Sequence, residues 1–113
     1  MVTPTAGSVV PVPLPFSDLS QSERRPAVVP AGAERGDWIL CQVTSKSYAE
    51  ARAVELSDYD FKQGSPGSIS YARPAKLFTA YGSLFVSEVG VLTADSLGRS
   101  KAGVVSVIQR KAE

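Results

Sequence analysis

Apolar and β-branched residues come in short runs along the first two thirds of the chain, separated by proline, glycine and polar residues. Such runs are typical of short buried strands joined by turns. The run at 38–44 (WILCQVT) is the clearest of them. The predicted strands are 9–14, 25–29, 38–44, 53–56, 69–71, 76–78 and 84–92, the last with Gly90 as a bulge.

Prolines set the expected limits of the first two strands. Pro11 and Pro13 have no backbone N–H to donate, so the run 9–14 is expected at a sheet edge or beside a bulge. Pro30 is expected to end the strand at 25–29, before a turn.

The hydrophobic period changes near the carboxyl end, where apolar residues recur at helical spacing. Thr93 with Asp95 makes a suitable helix start. Gly98 and Gly103 weaken the helix, so we expect it to pack on a sheet. The residues on its shared apolar face are Leu97, Val104, Val105 and Ile108. Many short strands and one terminal helix predict a mainly β (α+β) fold, a small and strongly bent sheet or barrel, in a single domain covering 1–113.

The composition is that of an ordinary globular domain, since 43% of the 113 residues are hydrophobic and 20% are charged. No apolar run approaches the roughly 18–20 residues that a membrane span needs. The first residues lack the basic and apolar regions of a signal peptide, so we expect a cytoplasmic protein. The net charge of +1 gives no general basic surface for duplex DNA, and a nucleic-acid site would have to be a local cluster of cations.

The chain contains no histidine and one cysteine. The lack of histidine excludes Ser-His-Asp hydrolases, Cys-His proteases, His-dependent ribonucleases and His-ligated metal sites. Cys41 cannot form an intrachain disulfide, and its apolar surroundings favour a small buried core residue over a reactive thiol. Catalysis would therefore depend on Arg, Lys, Asp, Glu, Ser, Thr or Tyr.

Polar residues cluster where predicted strands begin or end, which is where functional sites collect. Arg25 lies where a polar loop enters a strand, and its guanidinium can hold a phosphate through two donors. A surface ion pair with Asp18 or Glu23 is the alternative for Arg25, and a strand-ending turn is the alternative for Thr44 and Ser45. The candidates in the three clusters are Ser17, Asp18, Arg24 and Arg25; Gln42, Thr44, Ser45 and Lys46; and Arg73 and Lys76.

Two further patterns carry less information. Asp58 and Asp60 are spaced as a metal site might require, but two carboxylates without further ligands favour a surface turn, or a single helical turn over 57–61. No metal site is therefore predicted. The tyrosines can stack on single-stranded bases or pack half-buried with the hydroxyl in water; they are Tyr48, Tyr59, Tyr71 and Tyr81.

Four segments, taken in order, resemble the MazF/PemK toxin family. Residues 7–18 (GSVVPVPLPFSD) are similar to its opening strand and loop, and 24–29 (RRPAVV) to its Arg-Pro-apolar signature. Residues 36–46 (GDWILCQVTSK) are similar to the strand that ends in its Thr-Ser motif, and 70–78 (SYARPAKLF) to its Ser-Tyr-x-Arg-Pro-x-Lys-Leu segment. Each segment is common alone, but the four together extend the resemblance over nearly the whole chain.

The resemblance implies an SH3-like barrel of the CcdB/PemK type with a C-terminal helix, paired as a homodimer. It implies the toxin of a type II toxin–antitoxin system, a sequence-specific endoribonuclease that cleaves single-stranded messenger RNA. A MazE-like antitoxin would inhibit it by covering the RNA groove. Arg25 and Thr44 match the family's arginine and strand-end threonine, and the other candidates would support RNA binding. No cofactor and no membrane partner are implied.

This chemistry suits the composition, because RNA supplies its own nucleophile, the 2′-hydroxyl beside each phosphate. Arg25 would bind the scissile phosphate and stabilise its charge, while Thr44, assisted by Ser45, would position the phosphate or the hydroxyl without a metal. The expected products are a 2′,3′-cyclic phosphate, or its opened form, and a 5′-hydroxyl. A guanidinium stays protonated, so Arg25 is a poor general base and the proton acceptor is not identified.

Three positions depart from the family pattern and leave the acid–base roles open. Ser8 replaces an acidic residue, Pro11 interrupts a strand that is normally free of proline, and no Asp lies near Ala72, where some members have a catalytic acid.

Two other functions stay open: a CcdB-like poison of DNA gyrase, and a relative that binds RNA or an antitoxin without cutting. The gyrase poisons act through a C-terminal helix, and residues 109–113 lack a distinctive apolar-aromatic end.

Overall fold

The computed structural model describes residues 4–13, 24–47 and 52–110. Within these ranges, seven strands form one antiparallel sheet in the order β4-β6-β3-β2-β1-β7-β5, and the sheet curves into a nearly closed barrel. The strands are β1 (Ser8–Pro13), β2 (Arg24–Gly32), β3 (Asp37–Thr44), β4 (Val54–Leu56), β5 (Phe61–Gly64), β6 (Ser70–Tyr81) and β7 (Gly90–Leu92), and they are followed by the helix α1 (Ala94–Gln109).

The curvature follows from the connection between the two outermost strands of the sheet. β4 and β5 lie at opposite ends of the strand order, yet only residues 57–60 separate them along the chain. A 3-10 helix, Asp58–Asp60, occupies most of this connection, as the single helical turn expected there. Because so short a connection holds both ends of the sheet together, the sheet cannot stay open and flat. The predicted mainly β fold, a strongly bent sheet with a C-terminal helix, is confirmed.

Apolar side chains cover both faces of the sheet, because successive residues of a strand point to opposite faces. Leu97 of α1 packs against one face, called here the helix face. Phe85, which follows β6, is fully buried against the other, called here the Phe85 face. The core of the helix face contains Val9, Val28, Cys41, Val43, Leu56, Ala72 and Leu92, and that of the Phe85 face contains Val10, Val12, Ala27, Val29, Leu40 and Ala80.

The prolines of the first strand predicted a position at the sheet edge or beside a bulge. The strand does not lie at the edge. β1 lies between β2 and β7. Its pairing with β7 involves only Ser8 and Val9, so Pro11 and Pro13 face no ladder partner on that side. The strand is thus interior at its start, and its prolines lie where a missing N–H costs no hydrogen bond.

The second strand continues past the proline that was expected to end it. β2 runs through Pro30 to Gly32. Its register with β3 shifts between Val28 and Ala31, and Pro30 falls within this irregular stretch. A proline is tolerated in a strand where such a shift removes the need for its N–H.

The second half of the sheet differs most from the prediction. The two brief strands expected around Pro74 are one strand, β6, with a register shift, and β5 was not predicted. Only the last residues of the strand expected at 84–92 are extended as β7. Gly90 forms no bulge; it pairs with Gly64 at a point where a Cβ would lie 2.5 Å from the carbonyl oxygen of Gln63. Glycine is needed there because the two backbones approach so closely.

The helix starts as predicted, but its buried face is different. The Thr93 hydroxyl caps the first turn by accepting from the Ser96 amide, with 3.1 Å between Oγ1 and N. The fully buried side chains of α1 are the small ones of Ser96 and Ser100, while Val105 and Ile108 from the predicted apolar face are 49% and 70% exposed. In the part of the chain that the structure describes, no helix is long and apolar enough to span a bilayer.

Candidate active site

Three of the predicted candidates lie on the Phe85 face of adjacent strands. In β2 the core residue Ala27 belongs to this face, and in β3 so does Leu40. Since side chains two residues apart share a face, Arg25 lies on the Phe85 face of β2, and Gln42 and Thr44 lie on the same face of β3. Arg25 is exposed at the start of β2, and Thr44 is half-buried at the end of β3.

The register of the two strands relates Arg25 to Thr44. Ala27 is the direct partner of Gln42 across the β2–β3 pair. The pairing of β2 with β3 ends at Ala27 and Gln42, and Arg25 and Thr44 each lie two residues beyond it in the same direction, so they occupy corresponding positions on the two strands. A guanidinium and a hydroxyl thus occur at the same end of the same face.

A local hydrogen bond fixes the Thr44 side chain. Its Oγ1 accepts from the backbone N–H of Lys46 at 3.2 Å, which is the turn geometry that Thr favours after a strand. With one lone pair of the oxygen occupied in this way, the hydroxyl hydrogen can point away from the backbone and donate to a ligand. Thr44 can therefore stabilise the turn and also contact a ligand, whereas the sequence analysis treated these two roles as alternatives.

A bulge in β6 carries the two candidates of the third cluster. Val43 pairs with Ala72 and Cys41 pairs with Leu77, so Gln42 alone faces the four residues 73–76 of β6. Arg73 begins this bulge and Lys76 ends it, which places both cations beside the face that holds Gln42 and Thr44. β-Bulges commonly redirect side chains next to functional sites.

Gln42, the residue opposite this bulge, has a side-chain carbonyl whose hydrogen-bonding capacity is unused. Its Oε1 is buried, and the part of the chain that the structure describes offers it no partner. A buried acceptor without a donor costs free energy, and such atoms in native proteins call for an explanation. A bound ligand that donates a hydrogen bond would satisfy Oε1.

The structure separates the remaining candidates. Alternation along β2 directs Arg24 to the helix face, away from Arg25. Ser45 lies in the bend that follows β3. Lys46 lies in the exposed turn just after β3. Ser17 and Asp18 lie outside the described residues, as does Tyr48.

Two polar residues extend the row begun by Arg25 and Thr44: Tyr71, one of the tyrosines considered for base stacking, and Glu55, which the sequence did not single out. Thr44 is the direct partner of Tyr71 across the β3–β6 pair, and Tyr71 is in turn the partner of Glu55 across the β6–β4 pair. Their strand neighbours Leu56 and Ala72 belong to the helix face, so Tyr71 and Glu55 share the Phe85 face. The row Arg25, Thr44, Tyr71, Glu55 therefore crosses four adjacent strands, and we call it the polar row.

The polar row and the β6 bulge combine chemical groups that are suited to binding a phosphodiester. Arg25, Arg73 and Lys76 supply fixed positive charge, Thr44 supplies a hydroxyl, and Tyr71 supplies a half-buried aromatic ring. Guanidinium groups bind phosphate through paired charge-assisted hydrogen bonds, and aromatic rings stack on unpaired bases. Together these groups can bind a phosphate and stack on an unpaired base.

Asp58, Asp60 and Cys41 are engaged in contacts that stabilise the fold. Asp58 accepts from the Ser65 hydroxyl at 2.6 Å, and Asp60 forms an ion pair with Arg99. Among the residues that the structure describes, no group of three or more His, Cys, Asp or Glu side chains could hold a metal ion. Cys41 is buried in the core, 1% exposed, as predicted.

Comparison with known proteins supports the architecture. No family model matches the chain, and no curated protein is significantly similar to it in sequence. Several solved structures are similar in fold. A mycobacterial endoribonuclease in complex with its cognate antitoxin has a TM-score of 0.74 at 11% identity, over 98% of this chain and 100% of that chain.

Two other solved structures are MazF proteins. MazF from Deinococcus radiodurans has a TM-score of 0.73 at 21% identity, over 97% of this chain and 100% of that chain. The Mycobacterium tuberculosis toxin MazF-mt6 has a TM-score of 0.68 at 10% identity, over 93% of this chain and 99% of that chain. The chain therefore has the fold of the MazF toxins.

Proposed function

We propose that this protein is the toxin of a type II toxin–antitoxin system, a metal-independent endoribonuclease that cleaves single-stranded messenger RNA at particular sequences and thereby inhibits translation and growth. The observation that carries the proposal is that Arg25 and Thr44 occupy corresponding positions on one face of adjacent strands, in a barrel similar to those of solved endoribonuclease toxins. Messenger RNA as substrate implies a cytoplasmic site of action.

In this proposal Arg25 binds the scissile phosphate and stabilises the negative charge that develops as the 2′-hydroxyl attacks. A fixed cation aimed at developing charge is among the largest contributions to catalysis, and it involves no proton transfer. The Thr44 hydroxyl, held by the Lys46 amide, donates to a phosphate oxygen and fixes the phosphate relative to the ribose. The products are a 2′,3′-cyclic phosphate and a 5′-hydroxyl.

The other candidates bind the RNA strand on either side of this phosphate. Arg73 and Lys76 contact neighbouring phosphates from the β6 bulge, and Lys46 does so from the turn after β3. Gln42 uses its buried Oε1 to accept from an exocyclic amine or the ribose. Ser17 and Asp18, which precede Arg24 in the chain, complete the proposed set of RNA-binding residues.

The protein partners in this proposal are a second copy of the chain and a MazE-like antitoxin. MazE–MazF complexes from Deinococcus radiodurans are among the similar structures. Large apolar side chains remain on the surface and supply area for such contacts, since clusters of exposed apolar residues mark interaction sites. They include Tyr81, Leu84, Val86, Val105 and Ile108.

The proposal is tested by incubating the purified, antitoxin-free protein with a diverse pool of transcripts in EDTA and sequencing the new RNA ends. We expect cuts that share a short sequence and leave 5′-hydroxyl ends. An intact pool would contradict the proposal. Inhibition of DNA gyrase supercoiling, with the RNA left intact, would favour the gyrase-poison alternative.

A further inference from the structure

The proposed reaction needs a proton acceptor that neither Arg25 nor Thr44 provides. The 2′-hydroxyl must lose its proton as it attacks, and a guanidinium stays protonated at any ordinary pH. The chain has no histidine. A carboxylate near the phosphate is the remaining common type of general base.

We propose that the carboxylate of Glu55, at the end of the polar row, is that proton acceptor; this inference rests on the proposed ribonuclease function. Glu55 is exposed on β4, where Tyr71 separates it from Thr44. Because adjacent strands lie about 4.8 Å apart, the backbones at Thr44 and Glu55 are roughly 10 Å apart. In attack geometry the 2′-oxygen lies about 3 Å from phosphorus. If the 2′-hydroxyl lies on the Tyr71 side of a phosphate held by Thr44, it falls between Thr44 and Glu55.

The other described carboxylates are engaged or distant. Asp58, Asp60, Glu88 and Asp95 each accept a hydrogen bond from a side chain of the protein. Glu34 and Asp37 belong to the turn at the opposite end of the β2–β3 pair. Glu55 alone combines a place in the polar row with the lack of any ion pair or hydrogen-bond partner for its side chain among the residues that the structure describes.

Glu55 is exposed and lies on the same face of the sheet as the rest of the polar row. Its strand neighbours Val54 and Leu56 face the helix side, where Val54 lies close to Gly103 of α1. The titratable side chain facing Glu55 from the neighbouring strand is that of Tyr71. The nearest positive charges of the polar row and the bulge are those of Arg25, Arg73 and Lys76, which a bound phosphate would engage.

The step balances without any further reactant except water. The bond between the 2′-oxygen and phosphorus forms as the 2′-hydroxyl proton moves to a Glu55 carboxylate oxygen. The bond between phosphorus and the 5′-oxygen breaks, and the 5′-oxygen takes a proton from water. The hydroxide left behind accepts the proton from Glu55, which restores the carboxylate.

Glu55→Gln tests the inference because it keeps the size of the side chain and removes the base. Loss of a general base lowers the rate by about 10²- to 10³-fold, and we expect this in the single-turnover cleavage rate. Binding of an RNA with a 2′-deoxy nucleotide at the cleavage position should be unchanged or tighter, since the variant removes a negative charge beside a polyanion. The deficit should shrink as pH rises, because hydroxide then replaces the missing acceptor.

Matched variants separate the possible results. Glu34→Gln, which changes an exposed carboxylate at the far end of the β2–β3 pair, should cleave like the parent. A Glu55→Gln rate equal to the parent, a deficit that does not change with pH, or a loss found instead in Asp18→Asn or Tyr71→Phe would overturn the inference while the ribonuclease function stood. If the parent protein leaves RNA intact, both proposals fail.

Discussion

The thiol of Cys41 donates a hydrogen bond to the backbone carbonyl of Arg73, with 3.1 Å between Sγ and O. This contact ties β3 to the first residue of the β6 bulge. The bulge positions Arg73 and Lys76 beside the polar row, so a core residue on the helix face helps to shape the opposite face.

We expect Cys41→Ala to lower the free energy of unfolding by about 1–2 kcal/mol, because it removes both buried volume and the hydrogen bond. Cys41→Ser keeps a donor at this position and should cost less than the alanine variant. Chemical denaturation of the two variants measures the difference. An alanine variant at least as stable as the serine variant would show that the contact to Arg73 contributes nothing.

Thr44 should contribute to catalysis through its hydroxyl and not through its shape. Thr44→Val is nearly isosteric but cannot donate to a phosphate, and we expect it to cut the cleavage rate by roughly 10- to 100-fold. Thr44→Ser keeps the hydroxyl and should retain most of the activity. Similar rates for the valine and serine variants, at unchanged melting temperature, would argue against a phosphate contact from Thr44.

Adjacent arginines at the start of β2 should behave differently because they lie on opposite faces. We expect Arg24→Ala to change the cleavage rate by less than about threefold, while Arg25→Ala removes most of it. The measurement is single-turnover cleavage of one defined RNA by both variants. Equal losses would mean that the strand does not separate the two side chains as the alternation of β2 requires.

The two glycines of α1 should respond oppositely to alanine. A Cβ at Gly98 meets nothing within 4 Å, so Gly98→Ala should stabilise the protein by about 0.5–1 kcal/mol through helix propensity alone. A Cβ at Gly103 would lie 3.0 Å from Cγ of Pro74. Steric crowding against Pro74 should therefore offset the stabilisation that Gly103→Ala gains from helix propensity. Thermal unfolding compares them, and equal stabilisation by both would show that α1 does not approach β6 so closely.

Local signals in the sequence were sufficient for some elements. The start of α1 at Thr93 was predictable because a capping hydroxyl acts within one turn. β3 was predictable because its apolar run is bounded by polar turns. Arg25 and Thr44 could be selected from their places at strand ends, and the family resemblance favoured a phosphate-binding role for Arg25 over a surface ion pair.

Features that depend on distant parts of the chain were not predictable. Pro30 does not end β2, because the register shift against β3 removes the need for its N–H. The segment before Gly90 is not a strand, because burial of Phe85 on the sheet decides its path. Tyr71 and Glu55 were not selected as a pair with Thr44, since their alignment exists only once β4, β6 and β3 are in register.

The central claim is that Arg25 drives RNA cleavage without a metal, and one measurement tests it most directly. Single-turnover cleavage of a defined single-stranded RNA is compared in EDTA for the parent protein, Arg25→Ala and Arg25→Lys. We expect the parent to cleave, the alanine variant to be slower by about 10³-fold, and the lysine variant to recover only part of the loss, because lysine keeps the charge but not the paired donors. A folded Arg25→Ala variant that cleaves like the parent would contradict the account.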